Sequence, residues 1–342
     1  MDEKTIQEIS EVIQSSNINF LLGAGISTPF LPLLGNIEQN LNAAKDDSAR
    51  EIQYKEYFNK VMLPNKKIIN SSLSSGDTGN FNKTKEAYKN FFHGLTDILL
   101  RRKNTILSKQ INLFTTNIDI LMESILEELQ IEYNDGFCGK FIPTFSIANF
   151  KKSIHQRSLH YDHISEIPVF NIIKLHGSLT WRNNKSGDKI IFSHTLEHID
   201  ETLSSKTGST FKTAYKKILV VNPEEAKHLE SVLNLYYSEL LRMYSSELEK
   251  ENAVLFIVGF SLEDRHIKEI TLRAAKSNPT LRVFICCSQT SKDAMSKKME
   301  LDQHPNIQIF TPESDTEKFT LDCLSENFLK KVIFKKIAEK NV

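Results

Sequence analysis

The chain has 342 residues, 43 Lys plus Arg against 43 Asp plus Glu, and 40% hydrophobic residues. That length buries a sizeable core without disulfide staples, in one large domain with an insertion or in two domains. The zero formal charge weighs against a surface built to grip the nucleic-acid backbone, and no apolar run approaches the roughly 18 residues that span a bilayer. The polar, acidic start MDEKTIQEIS lacks the order of a signal peptide, and Cys138, Cys286, Cys287 and Cys323 show no C-x-x-C spacing. The expectation is a cytoplasmic protein with reduced, buried thiols.

In chain order, short β-rich runs recur: INFLL (18–22), INLFTT (111–116), VFNIIKLH (169–176), KILVV (217–221), AVLFIVGF (253–260), LRVFICC (281–287) and IQIF (307–310). Runs apolar throughout suit strands covered on both faces. Helical periods lie between them; in 226–248, Leu229, Val232, Leu233, Tyr236, Leu240 and Met243 recur every three or four residues. This alternation predicts an open, doubly wound, mostly parallel α/β sheet. Residues 36–108 hold no convincing strand, and Tyr88, Phe91, Phe92, Leu95, Ile98 and Leu99 form an amphipathic pattern, which predicts a helical insertion. Within it NSSLSSGDTGN (70–80) reads as a mobile loop. Residues 134–166 read as irregular; His155, His160 and His163 there have no acidic or cysteine partner arranged around them and are taken as solvated, not as metal ligands. The stretch 314–340 predicts a helix with lysines at its C-terminal end, where the dipole favours cations.

Four stretches place polar residues at the C-terminal ends of predicted strands, where open α/β sheets bind ligands. In GAGIS, Gly23 and Gly25 let the backbone of the Gly23-Ala24-Gly25 loop approach a ligand, with amides at the next helix's N-terminus facing a pyrophosphate; a tight turn is the alternative, since the third glycine of G-x-G-x-x-G is missing. In FTTNID, Asn117 donates and accepts at once and Asp119 accepts; the alternative is that Thr116, Asn117 or Asp119 caps the following helix. In KLHGS, His176 ends an apolar strand as a general base would, or as a structural histidine. In VGFSLEDRHI, Gly259 permits close approach and Ser261 offers a hydroxyl to phosphate or ribose; the alternative is a capping box of Ser261 and Asp264.

The succession Gly-Ala-Gly-Ile-Ser, Thr-Asn-Ile-Asp, Leu-His-Gly, Gly-Phe-Ser resembles the sirtuin family of NAD-consuming enzymes over about residues 17–290. The resemblance implies a Rossmann-like NAD-binding domain over 1–35 and 109–342, interrupted by the helical 36–108. It implies that Gly23, Ala24, Gly25 and Ser27 contact the NAD pyrophosphate and that Asn117 and Asp119, beside Thr116, hold the nicotinamide ribose and carboxamide. His176 would be the base, and Gly259 with Ser261 would meet the adenosine side. Two features of sirtuin deacylases are missing: the Gly-Ile-Pro-Asp-Phe-Arg segment, replaced here by TPFLPLLGNIE, and the four-cysteine zinc module, so no zinc is expected.

The remainder is similar to the sirtuin-like NAD hydrolases of bacterial antiphage defence, which share KLHGS…W (Trp181) and an Asn-Pro step before a long helix, here VVNPEE and LYYSELL. That similarity implies hydrolysis of NAD to nicotinamide and ADP-ribose and, for some relatives, a HerA-type ATPase partner; because a free hydrolase would drain the cell of NAD, control by assembly as a homo-oligomer or with a partner is expected. The helical insertion, or the surface near Phe91 and Phe92, is the candidate contact; the alternative is that these phenylalanines are ordinary core. The competing readings are a zinc-free NAD-dependent protein deacylase and a non-enzymatic NAD or ADP-ribose sensor or scaffold. Neither membrane association nor direct nucleic-acid binding is expected.

Overall fold

A computed structural model of the chain describes residues 3–33, 35–102, 106–222, 231–312 and 319–331. It begins with α1 (Glu3–Ser15), β1 (Asn17–Leu22) and a run of helices, α2 (Gly35–Ala43), α3 (Asp47–Tyr57), α4 (Leu63–Ile69) and α5 (Ser75–Arg101). After β2 (Gln110–Thr115) and α6 (Leu121–Glu128) come the short strands β3 (Tyr133–Asn134), β4 (Phe137–Cys138), β5 (Thr144–Phe145), β6 (His155–Arg157) and β7 (Ile164–Glu166). Then follow β8 (Val169–Lys174), β9 (Trp181–Asn183), β10 (Ile190–Phe192), α7 (Gly208–Tyr215), α8 (Ser231–Leu248), β11 (Ala253–Val258) and α9 (Arg265–Ser277). The last described elements are β12 (Arg282–Cys286), α10 (Lys292–Lys298), β13 (Ile307–Phe310) and α11 (Leu321–Leu324).

The central sheet has seven strands in the order β13-β12-β11-β1-β2-β8-β3, and each neighbouring pair is parallel. The chain enters in the middle at β1, moves to β2, goes out to the edge strand β3, comes back between them as β8, then crosses to the other side of β1 for β11, β12 and β13. This is the doubly wound α/β architecture, and its strand order reverses between β1 and β11, which is where such sheets hold ligands.

The apolar strands alternate in destination although not in polarity. Ile18, Phe20 and Leu22 of β1 join the core on one face with Val254, Phe256 and Val258 of β11, whereas Leu21, Leu255 and Ile257 join the core on the other. On the first face a phenylalanine ladder crosses the sheet: Phe20 stacks on Phe256 at 5.1 Å, Phe256 on Phe284 at 5.2 Å, and Phe284 on Phe310 at 5.3 Å. Helix α5 covers this ladder, with Phe91 edge-on to Phe20 at 5.4 Å and Phe92 against Phe170 at 5.5 Å. Phe91 and Phe92 are completely buried, so of the two readings offered by the sequence they are core and not an assembly surface.

Four further expectations are corrected. Residues 217–221 form no strand of the sheet; their buried apolar side chains pack over the strand ends, and Val220 makes only an isolated bridge with Gly177. The stretch 70–80 is largely the start of α5, because Ser74 caps it: its hydroxyl accepts from the Asp77 amide and donates to the Asp77 carboxylate. The interval 134–166 contains β4 and β5, which join β10 and β9 in a four-stranded antiparallel sheet, and the β6–β7 pair. Cys138 is exposed, while Cys286, Cys287 and Cys323 are buried as expected. The Asn-Pro step at Pro223, Leu229 and the lysines of 332–340 lie outside the described residues, and no helix among the described residues is long and apolar enough to cross a membrane.

Candidate functional site

Four adjacent strands end on one level. Val258 of β11, Leu22 of β1, Thr115 of β2 and Lys174 of β8 are register partners in sequence across the sheet. The four stretches singled out from the sequence therefore leave the sheet side by side.

Hydrogen bonds join these exits into one platform. The Gly23 amide donates to Val258 O at 3.0 Å, the Gly25 amide to Gly259 O at 2.9 Å, and Leu175 N to Thr115 O at 2.8 Å. The Thr115 hydroxyl donates to Leu22 O at 2.8 Å, and Asn117 Nδ2 donates to Gly23 O at 3.1 Å. Residues Ala24–Ser27 form a short 3₁₀ turn, so the glycine loop does not run into an α-helix as the sequence suggested, and the Ile26 amide closes back on Gly23 O at 3.2 Å. The glycine at 259 is fixed by sterics: its φ is +63°, and a Cβ there would lie 2.8 Å from Ile26 N and 3.0 Å from Gly25.

Beneath the loops Ser27 is a hub. Its buried hydroxyl donates to Asp119 Oδ2 at 3.0 Å, accepts from Asn117 Nδ2 at 3.2 Å, and lies 3.1 Å from the Tyr88 hydroxyl. Asp119, 2% exposed, also accepts from Leu121 N at 3.1 Å, so it starts α6 and ties it to the glycine loop at once. The helical run supports the same loops: besides Tyr88, Asn65 of α4 accepts from the Ile120 amide at 3.0 Å.

Lys174, 3% exposed, donates to Asp119 O and pairs with Glu123 at 3.1 Å. Burial raises the Glu123 carboxyl above its ordinary range, while the Lys174 charge pulls it back. Burial likewise raises Asp135, and Tyr88 is raised by burial and by the Asp119 charge. The floor of the site is thus a buried polar layer, paired internally except at Glu123 Oε2, which is expensive unless it fixes geometry.

His176 follows β8 by two residues. Its carbonyl accepts from Val221 N at 2.9 Å, Gly177 turns the chain at φ +78°, and a Cβ at Gly177 would meet Leu219 O at 2.4 Å. The ring is 17% exposed, faces Tyr237 at 6.1 Å, and its Nε2 lies 3.0 Å from Asp264 Oδ2. Asp264, not Ser261, caps α9, accepting from His266 N at 3.0 Å and Ile267 N at 3.2 Å. Sequence reasoning noticed Asp264 only as part of a capping box; its contact with His176 joins residues 88 positions apart, and no local signal carries that.

Asn117 is 8% exposed, Thr116 and Gly259 are half-buried, and Ser261 is exposed, with its carbonyl accepting from Lys298 Nζ at 3.0 Å. Among the described residues no group of three or more His, Cys, Asp or Glu side chains is placed to hold a metal ion.

A comparison with curated proteins finds no match. The family model described as the SIR2-like domain matches residues 111–310, which covers more than half of the chain and takes in Asn117, His176, Gly259 and Asp264 while starting after the glycine loop. Fold and sequence agree, and the chain belongs to the SIR2-like domain family.

Proposed function

We propose that the protein hydrolyses NAD to nicotinamide and ADP-ribose at the C-terminal edge of the sheet. The observation that carries this reading is the level exit of four adjacent strands, which sets the glycine loop, Asn117 and the His176–Asp264 pair in a single connected row. Family membership supports NAD as the substrate.

In the reaction the bond between C1′ and the nicotinamide nitrogen breaks, its electron pair leaves with nicotinamide, and positive charge builds on the ribose. A water oxygen then bonds to C1′, and its proton passes to His176 and on to solvent. Asn117, held by Gly23 O and Ser27 at the strand end, positions the ribose or the water. Asp119 and Ser27 hold Asn117 and the glycine loop at fixed spacing, and Gly259 with Ser261 receives the adenosine side. Hydrolysis of this kind empties a cell of NAD, so the reading includes a role in antiphage defence by NAD depletion, with restraint by assembly as a homo-oligomer or with a HerA-type ATPase. Resemblance supports these last elements.

The test is nicotinamide release by the purified protein. His176→Ala and Asn117→Ala should each lower turnover per folded molecule by about 10²–10⁴-fold with the far-ultraviolet spectrum kept, and Asn117→Ala, which removes the donor to Gly23 O and Ser27 Oγ, should lower the melting temperature as well; unaltered rates reject the assignment. A second reading, a ligand-binding scaffold without turnover, is favoured by the glycine amides and Asp119 oxygens being used within the protein. It predicts NAD binding that survives both substitutions with no nicotinamide released by any form.

A further inference from the structure

We infer that Asp264 is a positioning residue for His176, holding the imidazole with its proton on Nε2 so that Nδ1 is the atom that takes the proton from water. This rests on the reading of His176 as the base. One carboxylate divides its work: Oδ1 accepts the amides of His266 and Ile267 at 3.0 and 3.2 Å, and Oδ2 faces His176 Nε2 at 3.0 Å. An ionised carboxylate can only accept, so the ring nitrogen that meets it carries the hydrogen, and the lone pair of the neutral ring falls on Nδ1.

Neither partner is free to swing. Asp264 is tied down by two amides at the first turn of the 13-residue α9, and the His176 backbone is held by Val221 N and by the left-handed Gly177. Tyr237, 6% exposed, packs beside the ring on the third side. The loop after β11 is the one assigned to the adenosine side, so one short segment, 259–264, both receives the dinucleotide and aims the base. In hydrolases that pair an aspartate with a catalytic histidine, replacing the aspartate by asparagine preserves geometry yet costs about 10⁴ in turnover, because the wrong tautomer is favoured.

The test uses Asp264→Asn in the full chain. Asparagine caps a helix about as well as aspartate, so the melting temperature should stay at the wild-type value. Its amide can instead donate to Nε2, so nitrogen NMR of the labelled ring should show the hydrogen on Nε2 in the wild type and a shift toward Nδ1 in the variant. The kcat for nicotinamide release should fall by about 10²–10⁴-fold with KM for NAD little changed. Asp264→Ala, which loses cap and partner together, should lower the melting temperature as well. A wild-type ring protonated on Nδ1, or an Asp264→Asn variant with the wild-type tautomer and kcat, overturns the inference. The NMR signal does not depend on turnover: a wild type that carries the hydrogen on Nε2 but releases no nicotinamide would leave the pairing standing and sink the hydrolase reading.

Discussion

Asn19, Asn112 and Asn171 stand side by side on β1, β2 and β8, and at the ends of the same strands stand Gly23, Asn117 and His176. Both levels are polar interruptions of apolar strands, yet they are bonded in different ways. In the lower level Asn112 Nδ2 donates to Asn19 Oδ1 at 2.9 Å, and Asn171 Nδ2 to Asn112 Oδ1 at 2.9 Å, a ladder of side chains in register. In the upper level the bonds run from side chains to the backbone and side chains of other loops, and His176 keeps 17% of its side chain exposed. Paired amides in register fix strand order, whereas groups held from behind with one edge open can meet a ligand. Polarity within a strand does not mark a site; the kind of partner does.

Substitutions can separate the two levels. The largest effect should come from the upper one, where His176→Ala removes about 10²–10⁴ of turnover at constant stability. Next is Lys174, which lies between the levels: Lys174→Met leaves Glu123 buried without its cation and should cost about 3–5 kcal/mol, seen as a lower urea midpoint. Asn112→Leu cuts the ladder at its centre, stranding Asn19 Oδ1 and leaving Asn171 Nδ2 with Gln110 Oε1, and should cost about 1–3 kcal/mol with turnover per folded molecule unchanged. A loss of turnover there without a loss of stability would erase the distinction.

The smallest effect lies outside both levels and shows only in acid. Burial pushes the His198 imidazole down to about 4, against the opposing pull of Glu197. Below its unfolded value of about 6.5 the unfolded chain binds a proton that the folded chain refuses, so stability is full above that pH and declines as pH falls toward 4. His198→Gln should flatten this part of the stability profile, as measured by urea unfolding between pH 7 and about 4.5; an equally steep profile would assign the acid response to other groups.

Much of this arrangement was legible in the sequence. Six of the seven apolar runs became strands of the central sheet because a strand buried on both faces needs an unbroken apolar run. The seventh, KILVV, failed since burial alone draws apolar residues inward, and the chain does not announce whether they will meet a sheet or lie across its edge. The loop after Asn70 was misread because its Ser and Gly content hid the Ser74 cap. Within the site, motifs at strand ends were found by position and residue type. The contacts that organise them were not: Asp264 with His176, Asn65 with Ile120 and Tyr88 with Ser27 depend on strand order and helix placement. The asparagine ladder escaped for the same reason, since an asparagine inside a strand is unremarked until register aligns it with its neighbours.

The most direct test is a crystal structure of the Asn117→Ala variant soaked with NAD, slow enough in turnover to retain it. The account predicts the nicotinamide ribose between His176 and position 117, with the pyrophosphate over Gly23–Ser27 and the adenosine toward Gly259 and Ser261. Dinucleotide bound elsewhere on the molecule, or lying at this edge with its ribose turned away from His176, would contradict it.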